Sequence, residues 1–82
     1  MIVVLFFGRI ADLAGQRRFD LAPAPGGDSL YALRDRLLAQ PIADGRLEPE
    51  AVRMSLNQAL SQDDQAVSDG DEVAFFSVFS GG

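Results

Sequence analysis

Asp69-Gly70-Asp71-Glu72-Val73-Ala74-Phe75-Phe76-Ser77-Val78-Phe79-Ser80-Gly81-Gly82 is the stretch around which the rest of this sequence is arranged. It opens as a turn, because Asp-Gly-Asp supplies side-chain acceptors and one residue free to take positive φ. From Glu72 to Phe76 it becomes a nearly unbroken apolar run, the pattern of a strand covered on both faces. It ends in two residues without side chains, where most domains end in a frayed polar segment. Gly-Gly lets a backbone enter a slot too narrow for any Cβ. The carboxylate of Gly82 is therefore the group expected to react, with Gly81 as its slender approach to another protein's active site.

Outward from that stretch, Ile2-Val3-Val4-Leu5-Phe6-Phe7 is the matching run at the other end of the chain. Two such runs are expected side by side at the centre of one sheet. Gly8 to Gly15 is turn chemistry, with a helical turn expected at Ile10-Ala11-Asp12-Leu13-Ala14. Gln16 to Leu21 alternates, with Phe19 and Leu21 on one face and Arg18 and Asp20 on the other, as in a half-exposed strand hairpinned with the first. Pro23 to Gly27 is a loop whose glycines match no phosphate-binding motif. Asp28 or Ser29 offers an N-cap, and Leu30, Leu33, Leu37 and Leu38 recur at helical spacing. The spacing predicts one helix from about Ser29 to Gln40, with its leucines on the sheet and Arg34, Asp35 and Arg36 toward water. Pro41 is expected to stop it. Pro41 to Glu50 reads as loop, Ala51 to Leu56 as an alternating strand with Val52, Met54 and Leu56 inward, and Asn57-Gln58 as a tight turn. Ala59 to Val67 holds at most a short irregular strand. The helix lies between the two apolar runs and can make the crossover that a parallel pair needs. The result is an α+β chain in β-β-α-β-β order. It is a β-grasp, a mixed sheet of four to five strands with one main helix across one face. Residues 1–82 form a single domain whose flexible tail, 77–82, projects from a central strand.

Composition narrows the chemistry. The 82 residues have room for one modest core, and 48% hydrophobic with 23% charged content is ordinary for a globular chain. There is no His, Cys, Lys or Trp. The chain therefore has no imidazole for proton transfer near neutral pH, no thiolate for nucleophilic attack or metal binding, and no amine for a Schiff base. An active site of its own is not expected, nor a metal. The lack of cysteine fits a reducing compartment, and cytoplasmic residence is expected. No apolar run is long enough for a membrane span, and Met1 to Phe7 lacks the features of a signal peptide. A net charge of −5 argues against nucleic acid and favours a partner with a basic patch, or serves solubility alone.

With those stretches in hand, the chain resembles the ubiquitin-like sulfur carriers of the MoaD/ThiS family, most of all the small-subunit group of molybdopterin synthase. The residues carrying the resemblance are Met1 to Phe7, Ala32-Leu33-Arg34, Leu56-Asn57-Gln58, Asp69 to Phe76 and the closing Ser80-Gly81-Gly82. The resemblance implies that an ATP-using adenylyltransferase resembling ubiquitin activators (MoeB-like) adenylates Gly82. The acyl adenylate then accepts sulfur as a thiocarboxylate. A catalytic large subunit (MoaE-like) receives the tail, and the sulfur passes to a pyranopterin precursor of the molybdenum cofactor. ATP is used by the activating partner, and no cofactor is expected on this chain. A carrier for thiazole or another thio-metabolite, a β-grasp binding module without carrier chemistry, and a protein modifier that forms isopeptide bonds through Gly82 are the alternatives. Where the family commonly has Pro-Pro-Val, this chain has Ser77-Val78-Phe79, and without proline its tail is expected to lose more entropy on docking. Phe75, Phe79 and Ser80 are the residues expected to meet a partner.

Overall fold

In the computed structural model, which describes residues 1–77, the two apolar runs lie next to each other and parallel. Strand β1 is Ile2–Phe6. It is followed by helix α1, Gly8–Ala14, strand β2, Arg18–Leu21, and a two-residue strand β3, Asp28–Ser29. Helices α2, Leu30–Leu37, and α3, Ala39–Ala43, come next, then a single 3-10 turn at Pro49–Ala51. Strands β4 (Arg53–Leu56), β5 (Ala59–Ser61), β6 (Ala66–Val67) and β7 (Glu72–Phe76) complete the described chain. The main sheet has the order β2-β1-β7-β4-β5, and β3 and β6 make a separate two-stranded pair.

The expected β-grasp is the observed architecture: a mixed sheet crossed on one face by the helical layer. Every second residue of β1, namely Ile2, Val4 and Phe6, points into the covered face with Val73 and Phe75 of β7. Leu30, Leu33 and Leu38 meet them from the helical layer and are fully buried. Phe6 and Phe75 stack with ring centroids 5.9 Å apart, a contact that adds to the area they bury.

Helix α2 starts where three backbone donors find acceptors. Leu30 N donates to Gln65 O, Tyr31 N to Asp64 Oδ1 and Ala32 N to Ser29 Oγ. Ser29 is the N-cap, and β6 with the Asp63–Gln65 segment holds the cap in place.

Several local expectations are corrected. Pro41 does not end a helix. The break falls at Leu38 (φ −111°, ψ 22°), and Pro41 lies buried in the first turn of α3, where a missing N–H leaves no bond unmade. Arg34 does not point to water. Its guanidinium covers the Tyr31 ring at 4.5 Å, and its side chain is only 15% exposed. Ala59 to Val67 contains two strands, not one. Finally, β1 is not buried on both faces, since Val3 and Leu5 are only half-covered.

Candidate functional site

The site is built at one end of β7. Its entry is fixed by backbone and side-chain hydrogen bonds around Asp71. Ser68 N donates to Asp71 Oδ2 at 2.8 Å, and Asn57 Nδ2 donates to Asp71 Oδ1 at 3.1 Å. These donors hold the Asp71 carboxyl below its usual range, the Ser68 bond more than the Asn57 bond. Asn57 Oδ1 in turn accepts from Glu72 N at 2.9 Å, and Asn57 N donates to Glu72 O. Asn57 and Gln58 both sit at positive φ, 52° and 70°, as the two-residue hairpin turn between β4 and β5 requires. Gly70, at φ 91°, donates its N–H to Met1 O, and the Met1 ammonium pairs with Asp69. The Asp-Gly-Asp-Glu segment is thus an anchor for the strand that leads to the tail.

The exit of β7 is different. Phe6 aligns with Phe75, and Arg53 lies opposite Phe76. Phe75 is fully buried against Phe6, so the expectation that it meets a partner is overturned: its face is covered by helices. Phe76, one residue on, lies on the opposite, uncovered face and is half-buried. Leu5, Ala74, Ser55 and Leu60 form a row across that face, each opposite the next. Ala74 and Ser55 are small, so the row has a shallow floor. Phe7 (51% exposed) and Leu60 (61% exposed) rise at its sides. Phe7 N donates to Phe75 O at 3.0 Å, which extends the parallel ladder and holds Phe7 beside the strand's end. A groove of about 640 Å³ lies between Tyr31 and Arg34 of α2, Val52 and Met54 at β4, and Leu60 of β5.

Phe79, Ser80, Gly81 and Gly82 lie outside the described residues, as does all of the predicted tail beyond Ser77. The described residues place the root of that tail at the end of a central strand, beside an apolar, uncovered sheet face. Sequence reasoning missed Phe7 and Leu60. Phe7 was legible from alternation, since Ile2, Val4 and Phe6 inward put Val3, Leu5 and Phe7 outward. Leu60 had no such signal in a segment read as irregular.

A central strand anchored at its entry and a sheet covered on one side describe a ubiquitin-like protein. The ThiS family model matches residues 4–82, and the chain belongs to that family of sulfur carriers. It is 35% identical over 88 aligned positions to the molybdopterin synthase sulfur carrier subunit of Escherichia coli (strain K12), and the match spans 100% of both chains. Among solved structures it is similar to Urm1 from Trypanosoma brucei, at 25% identity and a TM-score of 0.69, covering 99% of this chain and 94% of that one. It is also similar to small archaeal modifier protein 1 from Haloferax volcanii, at 26% identity and a TM-score of 0.63, covering 93% and 94% of the two chains. Among the described residues no helix is long and apolar enough to cross a membrane.

Proposed function

We propose that the chain carries sulfur on Gly82 as the small subunit of a molybdopterin synthase. The observation that carries this reading is the full-length similarity to the Escherichia coli carrier subunit, together with a tail rooted beside an open apolar face. In the proposed cycle the Gly82 carboxylate attacks the α-phosphate of ATP on an adenylyltransferase, forming an acyl adenylate and releasing pyrophosphate. A sulfur donor displaces AMP and leaves a thiocarboxylate. The large subunit then transfers that sulfur to the pyranopterin precursor, and an oxygen from water restores the carboxylate. An ordinary carboxylate is a poor acyl donor until it bears a good leaving group, which is why activation comes first.

Extended, five residues beyond Ser77 span at most ~17 Å, enough to cross a narrow channel while the folded body stays outside it. Phe7, Leu60 and Phe76 are the groups on the body suited to meet the large subunit. They are large and apolar, Phe7 and Leu60 exposed and Phe76 half-buried, around a floor of small residues.

The test is the intact mass of the protein co-expressed with its adenylyltransferase and a sulfur donor. A species heavier by the difference between sulfur and oxygen, located in the C-terminal peptide, is expected, and deletion of Gly82 is expected to abolish both it and cofactor synthesis. An unmodified mass under those conditions overturns the carrier reading. A second reading has its own support, since one structural neighbour is described as a modifier protein. In that reading Gly82 forms isopeptide bonds, and the same samples contain higher-mass conjugates that disappear with Gly82.

A further inference from the structure

Seven arginines are the only basic side chains in the chain. Among the described residues four of them have a carboxylate within ion-pairing distance: Arg18 with Asp20, Arg34 with Asp35, Arg36 with Asp28 and Arg46 with Asp44. Among the described residues Arg9, Arg17 and Arg53 have none. All three are exposed, and all three lie at the end of the sheet from which the tail departs. Arg53 opens β4 directly opposite Phe76. Arg17 precedes β2, and its carbonyl accepts from Phe6 N at 2.9 Å. Arg9 follows Phe7 on α1 and is steadied by a bond from its Nη2 to Arg46 O at 3.0 Å. The same strands are acidic at their other end, where Asp20 and Glu72 both align with Val3 and Asp69 pairs with the Met1 ammonium. Glu48 and Glu50 lie just upstream of Arg53, and Arg53 donates to the Glu50 carbonyl, not to its carboxylate.

We infer that Arg9, Arg17 and Arg53 form a positive collar around the tail's root, and that this collar steers the chain onto an acidic rim at the mouth of its activating enzyme. The inference rests on the carrier reading above. On a chain of net charge −5, unpaired positive charge at a single place orients an encounter that net charge would oppose. The heads of β2 and β4 are three ladder spacings apart, ~14 Å, well inside the width of a standard protein interface, so the three charges can face one partner together. Rim charges raise association rates more than they lengthen residence. That suits the activating enzyme, which must release the carrier before sulfur can be delivered. The apolar face suits the longer-lived contact.

The experiment is ATP–pyrophosphate exchange by the organism's own activating enzyme, with the carrier as varied substrate. Arg9→Gln, Arg17→Gln and Arg53→Gln are each expected to raise KM about threefold, and the triple variant about thirtyfold, with kcat unchanged. The wild-type KM should rise steeply with salt, and that of the triple variant should not rise, because only the opposing net charge is then left to screen. Arg36→Gln, which removes the same charge from α2, is expected to leave KM unchanged. Equal KM increases for Arg36→Gln and the collar variants would show that net charge, not position, matters, and would overturn the proposal. So would an unchanged KM in the triple variant, including the case where the variant instead weakens binding to the large subunit. The Gly82 deletion separates the two ideas. If it is still a substrate, the carrier reading fails. If it is inert while the triple variant behaves as wild type, only the collar fails.

Discussion

Phe75 and Phe76 are adjacent and identical in chemistry, yet they belong to different parts of the molecule. Phe75 is on the face that the helices cover, stacked on Phe6 among Ile2, Val4, Leu30, Leu33 and Leu38. Phe76 is on the uncovered face, with Arg53 across from it and Phe7 and Leu60 nearby. Strand alternation alone separates them. The difference teaches that one sheet can be stabilised through one face and left available through the other. The covered face accounts for the fold, and the other face is where the partner proposed above would gain by burying apolar surface.

The largest effect that would test this division is at Phe75. Phe75→Ala removes a fully buried ring and is expected to destabilise the chain by about 3–5 kcal/mol, read as a lower urea midpoint. Phe75→Leu keeps most of the volume and should remain folded. Phe76→Ala is expected to change stability by about 1 kcal/mol or less, while weakening association with the proposed large subunit about thirtyfold, as loss of a central apolar anchor does. Equal destabilisation by the two alanine variants would show that the second face is not free.

A smaller effect tests the anchor on which both faces depend. Asn57 bridges the β4–β5 turn to Asp71 and Glu72. Asn57→Gly removes the bridge but keeps access to φ 52°, and it should loosen the entry of β7 without harming the exit. Asn57→Ala loses the bridge and also resists that backbone geometry, so it should be less stable than Asn57→Gly by about 1 kcal/mol. Hydrogen exchange at Val73 and Ala74 would report the loosening. If Gly and Ala variants are equally stable, the turn's backbone is not held where the structure places it.

Much of this was legible in the sequence, for reasons that differ from element to element. The central pair was readable because β1 and β7 are apolar runs bounded by turn residues, and the parallel arrangement followed from a helix lying between them. The Ser29 cap and the leucine spacing placed α2. Pro41 misled, because proline has opposite meanings at a helix end and in a first turn, and only the backbone at Leu38 decides which applies. Treating β1 as covered on both faces hid the site, since Val3 and Leu5 are only half-covered and Phe7 is exposed, whereas the middle of β7 is buried on both sides, Val73, Ala74 and Phe75 alike. Phe75 was assigned to a partner for the same reason: without the register of Phe6 and Phe75, the two phenylalanines could not be told apart. The arginine collar was not legible at all. It depends on which arginines find carboxylates in three dimensions.

The smallest expected effect concerns pH and isolates the anchor from both faces. The Asp71 carboxyl titrates below its ordinary value because Ser68 N–H and, less strongly, the Asn57 amide donate to its charged form. A carboxyl depressed in the folded state binds its proton less readily there than in the unfolded chain. It therefore contributes stability above its unfolded value, and the contribution is lost as pH falls through the folded one. Asp20, depressed chiefly by its hydrogen bond from Arg18, contributes in the same sense and the same acidic range. Wild-type stability should thus decline on acidification below the ordinary carboxyl range, and a single curve would not separate the two groups. The difference between wild type and Asp71→Asn does, because Asp20 is common to both. That difference should be constant from neutral pH down to about pH 5 and shrink below it. A difference that stays constant to pH 2 would mean that Asp71 holds the strand through its shape alone, with no part for its charge.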